Sequence, residues 1–167
     1  MKRNAKIIIP IILIAAALGI GVGVYFANSA HGDKDLKDGR IPYQEGVVVL
    51  EDTMIEPTED GWIDLTYNYQ AYSRDGIHFS CYLTNDASNV YDLYFDIYAD
   101  GAMRDEIYLS GLLPPGTALQ NITLDRELPV GTNEVYVVFN QVDLDEGGNQ
   151  VIVGQATVTV EFIVAEE

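Results

Sequence analysis

Apolar and polar residues alternate along most of the chain after residue 46, and this period of two constrains the fold more than any other feature. The clearest stretch lies near the C-terminus. It places five apolar side chains on one face: Ala156, Val158, Val160, Phe162 and Val164. Successive side chains of a strand point to opposite faces, so the pattern predicts strands with one buried face. No helical period follows residue 27, and the sequence therefore predicts an all-β domain.

Turn residues divide this alternating region into segments. Asp75-Gly76 is a hairpin signal, because glycine readily adopts a positive φ, and Asp145-Glu146-Gly147-Gly148-Asn149 is a second turn. The predicted strands lie at about 47–51, 62–72, 77–83, 91–99, 107–109, 119–124, 134–142 and 151–164. Seven or eight short strands with regular turns favour an antiparallel β-sandwich.

An uninterrupted apolar run covers residues 7–27, and Lys2, Arg3 and Lys6 precede it. About 20 residues at ~1.5 Å per residue cross the ~30 Å hydrocarbon layer. Cations on the N-terminal side predict a cytoplasmic N-terminus and an extracellular C-terminal domain. We therefore expect residues 1–27 to form a cytoplasmic cap and an uncleaved transmembrane helix in the cell membrane. A cleaved signal peptide is the alternative, since Ala27-Asn28-Ser29 fits a small-x-small cleavage pattern.

The remainder divides into a stalk at 28–46, rich in glycine and charge, and a β-sandwich domain at 47–167. The chain has 26 acidic and 9 basic residues, and all the acids follow the apolar run. Such an acidic surface repels nucleic acid, so we expect no nucleic-acid partner. The single cysteine, Cys81, permits no internal disulfide.

Three stretches resemble parts of known surface proteins: SGLLPPGT at 110–117, LPVGTNEVYVVF at 128–139 and GQATVTVEFIV at 154–164. Together with the N-terminal anchor, the chain resembles a group of small single-pass surface proteins of Gram-positive gut bacteria. The resemblance implies an immunoglobulin-like sandwich at the cell surface. The group has no established activity, so no functional residues carry over from it.

The sequence offers little catalytic chemistry. His31 lies in the stalk, while His78 and Cys81 are three residues apart on one predicted strand and therefore point to opposite faces. A nucleophile and its base must lie on the same side, so we predict that the protein is not an enzyme. We also expect no cofactor. Residues 33–39 and 143–147 are acidic but lack the ligand spacing of a calcium loop, and an irregular calcium site between loops is left open.

Two features point to interaction with partners. The first is a set of tyrosines on strand faces opposite the aliphatic positions, which we predict to form an exposed contact surface for a protein or glycan: Tyr72, Tyr82, Tyr94, Tyr98 and Tyr136. The second is a stripe of small residues, Ala15, Gly19 and Gly23, which permits close approach of two membrane helices and predicts a homodimer. Aromatic residues also simply suit exposed strands.

The sequence therefore predicts a membrane-anchored extracellular interaction module, serving adhesion or an accessory role, without catalytic activity. The alternative is a structural subunit of a membrane-bound transfer or secretion complex, which would dock through the helix and stalk.

Overall fold

The computed structural model describes residues 40–50, 57 and 62–166, and within them the fold is all-β, as predicted. Eight strands are present: β1 (Val48–Val49), β2 (Gln70–Ser73), β3 (His78–Asn85), β4 (Asp92–Tyr98), β5 (Glu106–Leu109), β6 (Thr117–Thr123), β7 (Gly131–Leu144) and β8 (Gln150–Val164). All eight belong to one sheet in the order β1-β6-β3-β2-β8-β7-β4-β5. Every neighbouring pair is antiparallel except β2 and β8.

The parallel pairing of β2 with β8 corrects the expectation of purely antiparallel strands. β2 runs antiparallel to β3 on one side and parallel to β8 on the other, with Ala71 opposite Phe162. The first strand of the core thus pairs with the last, and this single pairing joins two groups of antiparallel strands. Alternation predicts which face of a strand is buried, but it does not predict the neighbour or its direction.

The sheet curls so that both groups of strands contribute to one core. Its fully buried large side chains include Phe79 on β3, Phe95 on β4, Phe139 on β7 and Phe162 on β8. The rings of Phe95 and Phe139 meet edge to face, with centroids 4.9 Å apart. The predicted inward positions on β3, β4 and β8 are buried, because the period of two holds along these strands.

The Asp75-Gly76 turn joins β2 to β3, as predicted. Gly76 has a φ of +72°, and a Cβ at this position would lie 2.5 Å from the carbonyl oxygen of Leu128. Only glycine therefore fits the backbone and the available space here. The predicted strand at 62–72 is shorter than expected. Before Gln70 the chain forms an isolated bridge to β3 between Tyr67 and Leu83, and the Thr84 hydroxyl donates to the carbonyl oxygen of Thr66 at 2.8 Å.

Residues 40–44, which belong to the predicted stalk, contact the domain. Tyr43 forms a parallel bridge with Leu112, and Ile41 packs against a second apolar cluster that contains Tyr94, Leu112 and Val142. The predicted transmembrane helix and the rest of the stalk lie outside the described residues. Within residues 40–50, 57 and 62–166, no helix is long and apolar enough to cross a bilayer.

Candidate functional site

The five predicted contact tyrosines lie on two separate outer faces of the curled sheet. Tyr72 on β2 and Tyr82 on β3 belong to one half, while Tyr94 and Tyr98 on β4 and Tyr136 on β7 belong to the other. β3 and β4 are separated by β2, β8 and β7 in the sheet. The expectation that these tyrosines, among them Tyr82, Tyr94 and Tyr98, form one exposed surface is therefore wrong.

The first of these surfaces, here named the β2–β3–β6 face, is open to solvent. Its members are Gln70, Tyr72, Ser80, Tyr82, Asn121 and Thr123, and the exposed His78 borders it opposite Thr123. Tyr72 is 56% exposed and donates a hydrogen bond from its hydroxyl to Oε1 of Gln70, at 2.7 Å. Ser80 lies opposite both Tyr72 and Asn121, and its hydroxyl donates to Oδ1 of Asn121 at 3.3 Å. Tyr82 is half-buried.

None of these six side chains carries a charge, although the domain as a whole is strongly acidic. Two acidic groups border the face: Glu161 on β8, whose Oε2 accepts a hydrogen bond from the Gln70 amide at 2.7 Å, and Asp75 at the β2–β3 turn. There Asp75 accepts hydrogen bonds from the backbone N–H of His78, at 2.9 Å, and of Ile77, at 3.0 Å, and contacts the His78 imidazole at 2.6 Å. These bonds, above all those from His78, lower the pKa of the Asp75 carboxyl. The Asp75 carboxylate is therefore hydrogen-bonded within its own turn. The side chains of the face itself present ring, hydroxyl and amide groups.

The second surface, here named the β4–β7 face, contains the other three tyrosines and contradicts the prediction of exposure. Tyr94 is 1% exposed and Tyr98 is 5% exposed, whereas Tyr136 is half-buried. Burial raises the pKa of Tyr94 and of Tyr98, and the nearby carboxylate of Asp96 raises both further. Tyr136 lies directly opposite Tyr98, and its hydroxyl donates to Oε1 of Glu134 at 2.6 Å.

A buried row of polar side chains crosses the β4–β7 face and was not predicted. The amide of Asn140 donates to Oδ2 of Asp96 at 2.9 Å, and the amide of Gln155 donates to Oδ1 of Asn140 at 2.5 Å. Asp96 and Asn140 are buried on strands whose opposite face forms the core. Alternation marks these positions as polar and outward, and nothing in the sequence distinguishes a buried outer face from an exposed one.

The two side chains that could supply catalytic chemistry, those of His78 and Cys81, both lie on β3. His78 is exposed and Cys81 is buried, on opposite faces of β3 as predicted. Burial raises the pKa of the Cys81 thiol to about 12, so it is protonated near neutral pH. A protonated thiol is a poor nucleophile and a poor metal ligand. The structure therefore does not bring Cys81 and His78 together as a reactive pair.

The acidic stretch at 143–147 covers the end of β7 and the start of the β7–β8 turn. Oδ1 of Asp145 accepts hydrogen bonds from the backbone N–H groups of Gly147 and Asn149, both at 2.8 Å, and these bonds help to lower its pKa. Among the described residues, no group of three or more histidine, cysteine or acidic side chains is arranged to hold a metal ion. The other acidic stretch, 33–39, and the small-residue stripe of Ala15, Gly19 and Gly23 lie outside the described residues.

No protein-family model, curated protein or solved structure matches this chain.

Proposed function

We propose that this protein is a membrane-anchored extracellular interaction module, with an adhesive or accessory role and no catalytic activity. The observation that carries the proposal is the exposed, uncharged β2–β3–β6 face on a strongly acidic domain. Tyr72, Ser80 and Asn121 contribute an aromatic ring, hydroxyls and an amide to adjacent strands. Together they can stack, donate and accept hydrogen bonds, which suits a protein or glycan surface.

The rest of the domain favours this face over others as the contact site. Desolvating carboxylates against a partner is costly unless each is paired, so an acidic surface resists most contacts. The side chains of the β2–β3–β6 face bear no such charge, and two of them already bond to neighbours on the same face. These bonds hold Tyr72 and Ser80 in place, which reduces the conformational entropy lost on binding.

The proposed location at the cell surface follows from the N-terminal sequence. An apolar run at 7–27, preceded by three cations and followed by all 26 acidic residues, fits a single-pass anchor with a cytoplasmic N-terminus. The low cysteine content is compatible with an exported bacterial domain without disulfides.

We further propose that the domain is an immunoglobulin-like sandwich. Its strand order supports this reading, since β2-β3-β6 and β4-β7-β8 correspond to the A-B-E and C-F-G neighbours of that fold. The β2–β8 pair then joins the two sheets at one edge. On this assignment the β2–β3–β6 face is the outer surface of the A-B-E sheet.

The test is crosslinking and pull-down of the full chain from its native membrane. A variant with Tyr72→Ser and Asn121→Ala should lose most of the captured partner and keep the melting temperature of the parent. Tyr43→Ser is the matched control, because Tyr43 is also an exposed tyrosine but lies outside this face. Unchanged capture by the double variant would refute the proposal, and capture of channel or ATPase subunits would favour a transfer or secretion complex.

A further inference from the structure

Exposed apolar side chains gather at one end of the domain, where β7 turns into β8. This cluster, here named the hairpin-end patch, consists of Val90, Leu144, Val151, Ile152 and Val153. Ile152 on β8 pairs with Val142 on β7, and Val142 pairs with Asp92 on β4. Val90 precedes Asp92 by two residues and therefore lies at the same end of the sheet. Leu144 is 59% exposed and Ile152 is 44% exposed.

The patch differs from scattered surface apolar residues in two ways. Val151, Ile152 and Val153 are consecutive, and since alternate side chains of a strand face opposite ways, both faces of β8 are open to solvent here. Between Gln150 and Val160 the strand contains no charged residue, although the domain is strongly acidic. A run of exposed apolar side chains of this kind marks an interaction site more often than scattered single exposed residues do.

The chain enters the described domain at the same end. The side chain of Arg40 donates to the carbonyl oxygen of Gly148, in the β7–β8 turn. The backbone N–H of Ile41 donates to Oε1 of Gln150 at 2.7 Å, and Nε2 of Gln150 donates back to the carbonyl oxygen of Ile41 at 3.0 Å. Residues 40 and 41 are therefore fixed beside the hairpin, and the preceding sequence leads to the apolar run at 7–27.

The C-terminus of the described domain lies at the opposite end. β8 runs from Gln150 beside the hairpin to Val164, a strand of 15 residues. At ~3.3 Å per residue, these two residues are roughly 45 Å apart. An N-terminal membrane anchor thus brings the hairpin end toward the bilayer and directs the C-terminal end away from it.

We infer that the hairpin-end patch rests on the bilayer that holds the anchor, with Leu144 and residues 151–153 at the boundary between headgroups and acyl chains. The inference rests on the proposed membrane anchorage and adds an orientation for the domain. Its occupant is the lipid surface, because residues 1–39 precede Arg40 and contain the only long apolar run of the chain. Apolar side chains partition readily into this boundary region.

Acidic side chains near the patch determine the headgroup charge of the lipids that the patch can contact. Asp143 near the end of β7 is exposed, as are Asp145 and Glu146 in the turn, and Asp145 accepts hydrogen bonds from the N–H groups of Gly147 and Asn149. These charges stay in the headgroup layer and repel anionic lipids. The surface therefore contacts a zwitterionic membrane more closely than an anionic one.

The inference is tested with the full chain reconstituted in phosphatidylcholine vesicles. In a Cys81→Ala background, a fluorophore is attached either to Ile152→Cys or to Ala165→Cys, an exposed site near the far end of β8. Lipids with a spin label high on the acyl chain should remove most of the fluorescence at position 152 and little at position 165. Replacing part of the phosphatidylcholine with phosphatidylglycerol should weaken the quenching at position 152.

Each alternative result is decisive. Alkaline extraction reports separately on the anchor, because a chain released by it is not integral, and that result overturns both the proposed anchorage and this orientation. A chain that resists extraction but shows equal quenching at positions 152 and 165 overturns the orientation alone. Energy transfer between labels at position 152 of two chains, without lipid quenching, would show instead that the patch pairs with a second copy.

Discussion

The rings of Phe79 and Phe162 lie with their centroids 4.5 Å apart and their planes tilted by 32°. Phe79 is on β3 and Phe162 is on β8, and these strands are not neighbours, because β2 lies between them. The contact is therefore made across the inside of the curled sheet. It links the two antiparallel groups at the point where β2 and β8 pair in parallel.

Replacing Phe162 should therefore weaken the whole domain. The side chain is 1% exposed, so we expect Phe162→Ala to lower the free energy of unfolding by about 3–5 kcal/mol through lost burial and a cavity. Thr159→Ala is the control, since Thr159 is half-buried on the outer face of the same strand and should cost less than about 1 kcal/mol. Urea unfolding measures both, and equal losses would show that the inward and outward assignments are wrong.

A second prediction concerns the close approach of Gln141 to Gly154. The two residues lie opposite each other beside a register shift, and the amide of the buried Gln141 donates to the carbonyl oxygen of Trp62 at 2.9 Å. A Cβ at position 154 would lie 2.2 Å from Oε1 of Gln141. Gly154→Ala must displace this amide, and we expect a loss of about 1–3 kcal/mol in urea unfolding.

The matched test for this clash is a double-mutant cycle. Gln141→Ala removes the obstructing amide, so adding Gly154→Ala to it should cost little more stability. If the losses of unfolding free energy from Gln141→Ala and Gly154→Ala simply add, the clash is not the cause of the destabilisation by Gly154→Ala.

Much of the core was predictable because burial follows the local period of two. Phe79, Cys81 and Leu83 on β3, and Val158, Val160 and Phe162 on β8, are all buried as the alternation indicates. The Asp75-Gly76 turn was equally clear, since its geometry depends on adjacent residues. Local sequence therefore determines the strands and the inner face.

What the sequence could not predict depends on distant residues. The parallel β2–β8 pair joins positions 70–73 to positions 161–164, and the pattern of neither strand indicates its partner. Tyr94 and Asp96 alternate with Leu93 and Phe95 as outward side chains would, yet they are buried. Burial of an outer face arises from what packs over it, so it leaves no local signature. For the same reason, alternation alone predicts one surface for the tyrosines, although they occupy two.

The Asp75 carboxyl should make the domain sensitive to acid. Hydrogen bonds lower its pKa in the folded state, so it stabilises the fold above the ordinary pKa of about 4, and this contribution is lost as the pH falls through the lowered value. Asp75→Asn should therefore be less stable than the parent near pH 7. The difference should shrink below about pH 4, where the unfolded carboxyl becomes protonated.

Stability is measured by urea unfolding at a series of pH values. Glu146→Gln is the control, because it removes an exposed acid of the β7–β8 turn and leaves the hydrogen bonds of the β2–β3 turn in place. A difference between Asp75→Asn and the parent that stays constant across the acid range would contradict the role assigned to the turn.

The thiol of Cys81 should report on opening of the core. It is buried beside the carbonyl oxygen of Leu119, 3.9 Å from Sγ, and its pKa is raised to about 12. A thiol reagent attacks the thiolate, so at about pH 8 we expect modification only from molecules that have opened. The control moves the cysteine by one residue to the exposed face, as Ser80→Cys in a Cys81→Ala background. It should react rapidly in the folded state, and both proteins should react alike in urea. Equal folded-state rates at positions 80 and 81 would show that the inner face of β3 is accessible, and would contradict the closed core that Phe79 and Phe162 form above it.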